Sequence, residues 1–291
     1  MSSQIIGFLV IAGLQVGCIY ATLALSYYVI TRATGILNFA QGEWMMLAAV
    51  LGASLLSLRL PYALAVFASV VLSALGAVAA ERLIIRPLEN RKAPLDTLIV
   101  ALLGIMIVAR YSTGLWYGHE EHPLPGPLAG DPIVFADGIM LLPQTLLVFS
   151  ATAALFIAFW ALDRYTRLGL TLRVAAIDSV GAQLCGISLS RVRLVAFGLG
   201  GLIAAVVGWL YAPLYAAGYL IGAVAGMKGF IVLVVGGLGS PFGCLLAGLL
   251  IGLLEVFVSF YVSSIYSDAI AFAALLGILL LRPAGLIELR T

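Results

Sequence analysis

The chain has 291 residues, 63% of them hydrophobic and only 10% charged, with a mean hydropathy of +1.17. A soluble domain carries about 25% charged residues, so a soluble enzyme and a disordered chain are both excluded. The net charge of +2 is too small to imply a nucleic-acid partner, and the distribution of the cations says more than their sum.

A hydrocarbon core about 30 Å thick takes roughly 20 helical residues per crossing, which gives the chain room for about eight to ten crossings and no second domain. Apolar stretches bounded by Gly, Pro or charge place the first six at Ile5 to Ile30, Gly35 to Leu58, Tyr62 to Ile84, Thr97 to Leu115, Ile139 to Leu162 and Leu194 to Ala217. Three more follow at Tyr219 to Leu238, Phe242 to Val262 and Ala269 to Leu281. The segment after Met1-Ser2-Ser3-Gln4 lacks a basic leader and runs past a signal-peptide length, so it is expected to be a retained span. Lipid leaves backbone groups no partner, and the segments do not alternate as barrel strands do. The expected fold is therefore an all-α polytopic membrane protein of about nine transmembrane or broken helices, forming one transmembrane domain over residues 1–291.

Cations fall in alternate connections: Arg32; Arg82, Arg86, Arg91 and Lys92; Arg164, Arg167, Arg173, Arg191 and Arg193; Arg282 and Arg290. The positive-inside rule makes that side cytoplasmic, placing the N-terminus outside and the C-terminus inside, with Arg59 as the exposed exception. The outer connection Trp116 to Gly138 has four prolines and the polar residues His119, Glu120, Glu121, His122, Asp131 and Asp137. A solvated polar rim is preferred there over a metal site, because only two histidines are present. The inner connection Asp163 to Arg193 contains a proline-free mixed stretch, Leu170 to Ile187, which reads as a short helix on the membrane surface.

Cys18, Cys185 and Cys244 are too far apart to give a metal spacing or a disulfide framework. No phosphate loop, nucleophile elbow or zinc-protease motif occurs, which disfavours an intramembrane enzyme. Four ionisable residues lie well inside expected spans: Glu43, Arg110, Lys228 and Glu255. A charge at mid-bilayer costs about 2.5–3.5 kcal/mol on insertion scales, so each needs a partner or a watery path. Depth counted from the inner boundary pairs Glu43 with Lys228 and Arg110 with Glu255; snorkelling of Arg110 and simple helix packing are the alternatives. Gln15, Asn38 and Gln41 are buried amides that would line a polar path or bond between helices. Gly243, Gly248 and Gly252 are spaced for close helix packing. Glycine interruptions at Gly35 to Glu43 and Gly222 to Phe230 form a faint echo of the kind left by inverted repeats.

The run Gly35-Ile36-Leu37-Asn38-Phe39-Ala40-Gln41-Gly42-Glu43 closely resembles the Gly-Met-Ile-Asn-Phe-Ala-His-Gly-Glu signature of LivH-type permeases of branched-chain amino acid ABC transporters. The inner connection resembles the same family's coupling region through Arg173, Ala175, Ala176, Asp178, Ala182, Gly186 and Ile187. Val234 to Gly243, followed by Gly248 to Glu255, resembles its Gly-Gly-x-Gly-Ser-x-x-Gly run, and the likeness extends from Ile5 to Gly285. Gln41 stands where many members have His, and Ser26 where many have Gly ahead of Tyr27. The family also includes permeases for urea, amides and small carboxylates, so these departures leave the cargo open.

The resemblance implies a permease subunit of an ATP-driven importer in the bacterial inner membrane, paired with a homologous permease. It also implies two cytoplasmic ATPase subunits, which bind the ATP and Mg that this chain does not, and a periplasmic or lipid-anchored solute-binding protein. Arg167 to Arg193 would then dock into the ATPase, with Arg173, Asp178, Arg191 and Arg193 as polar contacts and Ala175, Ala176, Ala182 and Ile187 filling the groove; anchoring to lipid headgroups is the alternative. Asn38, Gln41, Glu43, Arg110, Lys228 and Glu255 would line the path or its polar network. The runner-up function is an ion-coupled transporter or channel working alone, with Glu43 and Glu255 as its ion-binding groups.

Overall fold

A computed structural model of the chain describes residues 3–126, 133–134, 140–282 and 285. Helices dominate, in the order α1 (Ser3–Thr34), α2 (Gln41–Ser57), α3 (Tyr62–Ala80), a π-helical turn (Glu81–Ile85), α4 (Arg86–Asn90), α5 (Leu95–Tyr117), α6 (Pro143–Tyr165), α7 (Arg167–Ile177), α8 (Ser179–Leu184), α9 (Leu189–Tyr215), α10 (Ile221–Gly236), α11 (Pro241–Tyr261) and α12 (Ser264–Leu281). Two short strands, Ile133–Val134 and Met140–Leu141, pair antiparallel. Asp131, Asp137, Gly138 and Arg290 lie outside the described residues.

Among the described residues, six helical segments are long and apolar enough to cross a membrane: Gln4–Thr34, Tyr62–Asn90, Leu95–Tyr117, Pro143–Tyr165, Leu189–Tyr215 and Pro241–Tyr261. The remaining three expected spans coincide with shorter pieces. α2 has 17 residues and α10 has 16. At about 1.5 Å per residue each covers roughly 24–26 Å, short of the hydrocarbon thickness. In α12 the apolar part is Ala269–Ile278. α2 starts at Gln41 rather than near Gly35 because α1 ends there: Gly35 has φ +69 and its N–H donates to the Thr31 carbonyl. The Asn38 side chain then accepts from the Ala40 N–H in an Asx turn, and helix resumes one residue later.

α1 and α9 form the centre. The apolar core contains Ile19, Leu23, Leu25 and Tyr28 of α1, packed with Ala204, Ala205 and Val207 of α9. Against α1 lies α11, brought to backbone contact by small residues: a β-carbon at Gly252 would collide with the Gly17 backbone, and one at Gly248 would come within 2.6 Å of the Ala21 side chain. In lipid such contact supplies packing that hydrophobicity cannot. Gly252→Leu is expected to cost at least about 1–3 kcal/mol of overpacking, seen as a lower unfolding midpoint in detergent; an unchanged midpoint would contradict this crossing.

The two glycine-interrupted segments meet. A β-carbon at Gly42 would strike the Gly222 carbonyl oxygen and would lie 2.8 Å from the Gly226 α-carbon. The Tyr27 hydroxyl donates to the Gly226 carbonyl at 3.1 Å and pins α10 to α1 beside this crossing. The starts of both short helices are therefore buried against each other rather than at a surface.

Candidate functional site

Glu43 falls in the first turn of α2, where the helix dipole favours a carboxylate. Its Oε1 accepts from Arg110 of α5, from Nε at 3.1 Å and from Nη2 at 2.5 Å. The Glu43 side chain is 1% exposed and that of Arg110 is 16% exposed. Glu43 Oε2 has no hydrogen-bond partner and lies against Gly222. On the other side of the crossing, Lys228 Nζ of α10 donates to Glu255 Oε1 of α11 at 2.6 Å. Tyr20 Oη of α1 donates to the same oxygen at 3.3 Å, and the Lys228 ammonium lies 5.5 Å from the centre of the Tyr20 ring.

The expected pairing of Glu43 with Lys228 and of Arg110 with Glu255 is therefore exchanged: Glu43 holds Arg110, and Lys228 holds Glu255. Depth is only one coordinate of a helix bundle. α2 packs against α10 as well as α5, but glycines occupy the α2–α10 crossing and Lys228 reaches Glu255 of α11 instead, so azimuth decides the partners. Arg110 does not snorkel away from the protein, because its guanidinium is engaged by Glu43. The buried amides bond mostly to one another and to neighbouring helices. Asn38 Nδ2 donates to Gln41 Oε1 at 3.1 Å, and Thr145 of α6 donates to Gln15 Oε1 at 3.0 Å. The Gln41 amide nitrogen has no partner.

The stretch expected as one surface helix, Leu170 to Ile187, is two helices broken at Asp178. Asp178 caps the second of them, its Oδ1 accepting from the Val180 N–H at 2.9 Å. α8 then ends in a Schellman motif: the Gly186 N–H donates to the Gln183 carbonyl, the Ile187 N–H to the Ala182 carbonyl, and Gly186 has φ +80. Gly186→Ala places a β-carbon in the left-handed region, with an expected cost of about 1–2 kcal/mol. Faster amide exchange confined to Ser179–Leu184 would report it, and unchanged exchange would argue against the motif.

Several residues expected to face a partner instead serve the chain itself. Ala175 and Ala182 are buried and cannot fill a partner's groove. Arg173 lies 3.8 Å from Asp163, which also takes Arg32 at 3.4 Å. Arg193 is not in the connection, because α9 begins at Leu189; it pairs with Glu89 and lies 3.5 Å from the fully buried Glu81. Of the expected contacts, Ala176 and Asp178 on α7–α8 and Arg191 in the first turn of α9 are exposed, together with Ile177, Val180 and Leu184, the last three being 83%, 65% and 86% exposed. Val180 and Leu184, four residues apart on α8, share an apolar face that sequence periodicity could have shown, and Ile177 ends α7 just before the break. Ile187 and Arg191 line a groove of about 260 Å³ with Leu168, Thr171 and Leu172.

At the opposite ends of α2 and α5 the 118–126 loop folds back on the chain. His122 and Ala217 exchange backbone hydrogen bonds, His122 sits edge-on to Tyr117, and His119 to Tyr219. Among the described residues no group of three or more His, Cys, Asp or Glu could hold a metal ion.

A model of the family described as branched-chain amino acid transport system / permease component matches residues 9–279. The high-affinity branched-chain amino acid transport system permease protein LivH of Escherichia coli K12 is 30% identical, covering 99% of this chain and 97% of that protein. BraD of Pseudomonas aeruginosa, described as the same kind of permease protein, is 31% identical over 94% of this chain and 93% of its own length. Among solved structures, PsaBC from Streptococcus pneumoniae in complex with Fab shares the fold with a TM-score of 0.51 at 13% identity, covering 94% of this chain and 90% of that one. With six membrane-length apolar helices and a family match over nearly its whole length, the chain is an integral membrane protein that belongs to the family of branched-chain amino acid transport system permease components.

Proposed function

We propose that this chain is the membrane permease subunit of an ABC importer that moves branched-chain amino acids or related small polar solutes across the bacterial inner membrane. It works beside a second, homologous permease, two ATPase subunits that bind ATP and Mg, and a solute-binding protein outside. The Arg-rich end carrying α7 and α8 is cytoplasmic, with the N-terminus outside and the C-terminus inside, and the three shorter helices complete a set of about nine membrane segments.

The observation that carries this reading is the α7–α8 projection. Its exposed apolar residues Ile177, Val180 and Leu184 are flanked in the chain by the exposed cations Arg164, Arg167 and Arg191. A helix pair of this kind suits a protein groove better than water, and it leads directly into α9, the central helix. An ion-coupled transporter working alone needs titratable carboxylates on its path, and Glu43 and Glu255 are each held by a cation. The test is ATP hydrolysis by the reconstituted complex in liposomes, with the binding protein presented empty or loaded. Loaded protein is expected to stimulate hydrolysis, and Leu184→Arg to reduce that stimulation at least about tenfold. Hydrolysis indifferent to both the loaded protein and this permease would overturn the proposal.

A further inference from the structure

α7 and α9 enclose a groove of about 260 Å³, walled by Leu168 and Leu172 of the first helix and Val192 and Val195 of the second, with Ser188 and Arg191 exposed beside them. Its level in the membrane follows from the helices that flank it. α6 and α9 are both of membrane length; Leu168 comes three residues after α6 ends at Tyr165, and Arg191 is the third residue of α9. The groove therefore opens at a headgroup boundary, which the orientation proposed above makes the inner one. Trp160 and Tyr165 of α6, both exposed and edge-on to each other at 5.5 Å, mark the same boundary. Amphipathic aromatic rings gather where hydrocarbon meets water.

The free charge beside the groove has one sign. Arg164, Arg167 and Arg191 are exposed, and none of them pairs with an acid among the described residues. The nearby carboxylates are engaged elsewhere: Asp163 takes Arg32 and lies 3.8 Å from Arg173, and Asp178 caps α8. No acid is left to receive a choline or ethanolamine ammonium, whereas a phosphate finds cations and the Ser188 hydroxyl, which makes no capping bond to α9. Basic pockets between helices at the cytoplasmic boundary suit anionic lipid headgroups. The volume is below the about 300–1,000 Å³ that encloses a whole small ligand. It fits an occupant that leaves most of its length in the bilayer.

We infer that this groove is a binding site for an anionic phospholipid, its phosphate held by Arg191 and the Ser188 hydroxyl and one acyl chain lying along Leu168, Leu172 and Val195. Arg164 and Arg167, next to Leu168 in the chain, add to the field that attracts it. The exposed Ile177, Val180 and Leu184 stay available to a protein partner. Bound there, the lipid fastens the start of α7 to the start of α9. The site depends on the membrane topology and not on which solute is carried.

The experiment is native mass spectrometry of the full-length chain in detergent, titrated with dioleoylphosphatidylglycerol or dioleoylphosphatidylcholine. One cation near a membrane surface is worth about fivefold in affinity for anionic lipid. The first phosphatidylglycerol is expected to bind at least about tenfold more tightly than the first phosphatidylcholine. Arg191→Gln is expected to weaken it about fivefold; Arg59→Gln, a cation change on the other side of the membrane, should leave it unchanged. Val195→Trp, which fills the groove without altering a charge, is also expected to weaken it. Charge-state distributions separate folded from unfolded chain, so a misfolded variant is not mistaken for one that fails to bind. Equal affinity for the two lipids, or Arg191→Gln behaving like Arg59→Gln, would overturn the site. Displacement of the lipid by inorganic phosphate, or its release when the ATPase subunits assemble on the chain, would also overturn it, the latter by giving the groove to that partner.

Discussion

Arg193→Leu is expected to lower the stability of the fold by about 3–5 kcal/mol, among the largest single losses any surface-remote substitution in this chain could produce. The Arg193 side chain is 11% exposed, and its guanidinium stands between Glu89 and Glu81, whose carboxylate is fully buried with neither oxygen hydrogen-bonded. Removing the cation leaves Glu81 charged in an apolar setting, or forces it to take up a proton. Glu89, at 26% side-chain exposure, can turn toward water. Arg193→Leu combined with Glu81→Gln should therefore recover most of the loss, while Arg193→Lys, which keeps the charge but not the fork, recovers part. The unfolding midpoint in detergent is the measurement; a double variant no more stable than the single one would contradict the account.

The cluster also has a mechanical place. Glu81 opens the π-helical turn between α3 and α4, and Arg193 sits in the first turns of α9, just beyond the α7–α8 projection. Single π-turns inside α-helices are frequent at functional sites. A displacement of the projection would thus reach α3 through a charge contact as well as through the chain.

Arg110→Leu is the second large effect, expected at about 3 kcal/mol or more because it strands Glu43 at 1% exposure. Glu43→Gln with Arg110→Leu should restore a large part of it, so the double-mutant cycle for this pair should show a coupling of about 1–3 kcal/mol. The cycle between Glu43 and Lys228 should be additive within about 0.5 kcal/mol, since each already has its own partner. Strong coupling between Glu43 and Lys228, with none between Glu43 and Arg110, would reverse the assignment.

Much of this architecture is legible in the sequence because lipid makes helix the default and hydropathy reports it directly. The Gly35 to Glu43 run also announces itself, through glycine, an Asx-turn asparagine and an acid in a first helical turn. Partner choice is not legible in the same way. Glu43 and Lys228 stand at matching depths on helices that touch, yet their partners are set by the direction in which each side chain leaves its helix, which no single span records. The Lys228–Glu255 pair could have been found, since α10 and α11 are consecutive and joined by the tight connection at Gly237 to Ser240. Glu81 was within reach too: it falls inside the third expected span, and an acid there demands a cation. The split at Asp178 was hidden because its residues suit a continuous helix, and only the cap geometry shows the break.

The central claim, a permease driven by a separate ATPase, is tested most directly by measuring branched-chain amino acid uptake into liposomes under two energy sources. Liposomes holding the chain with its partner permease, ATPase subunits and binding protein are predicted to accumulate solute only when ATP is supplied. Liposomes holding this chain alone, given a proton or sodium gradient and no ATP, are predicted to accumulate none. Gradient-driven uptake by the chain alone would contradict the account and return Glu43 and Glu255 to the role of ion-coupling groups.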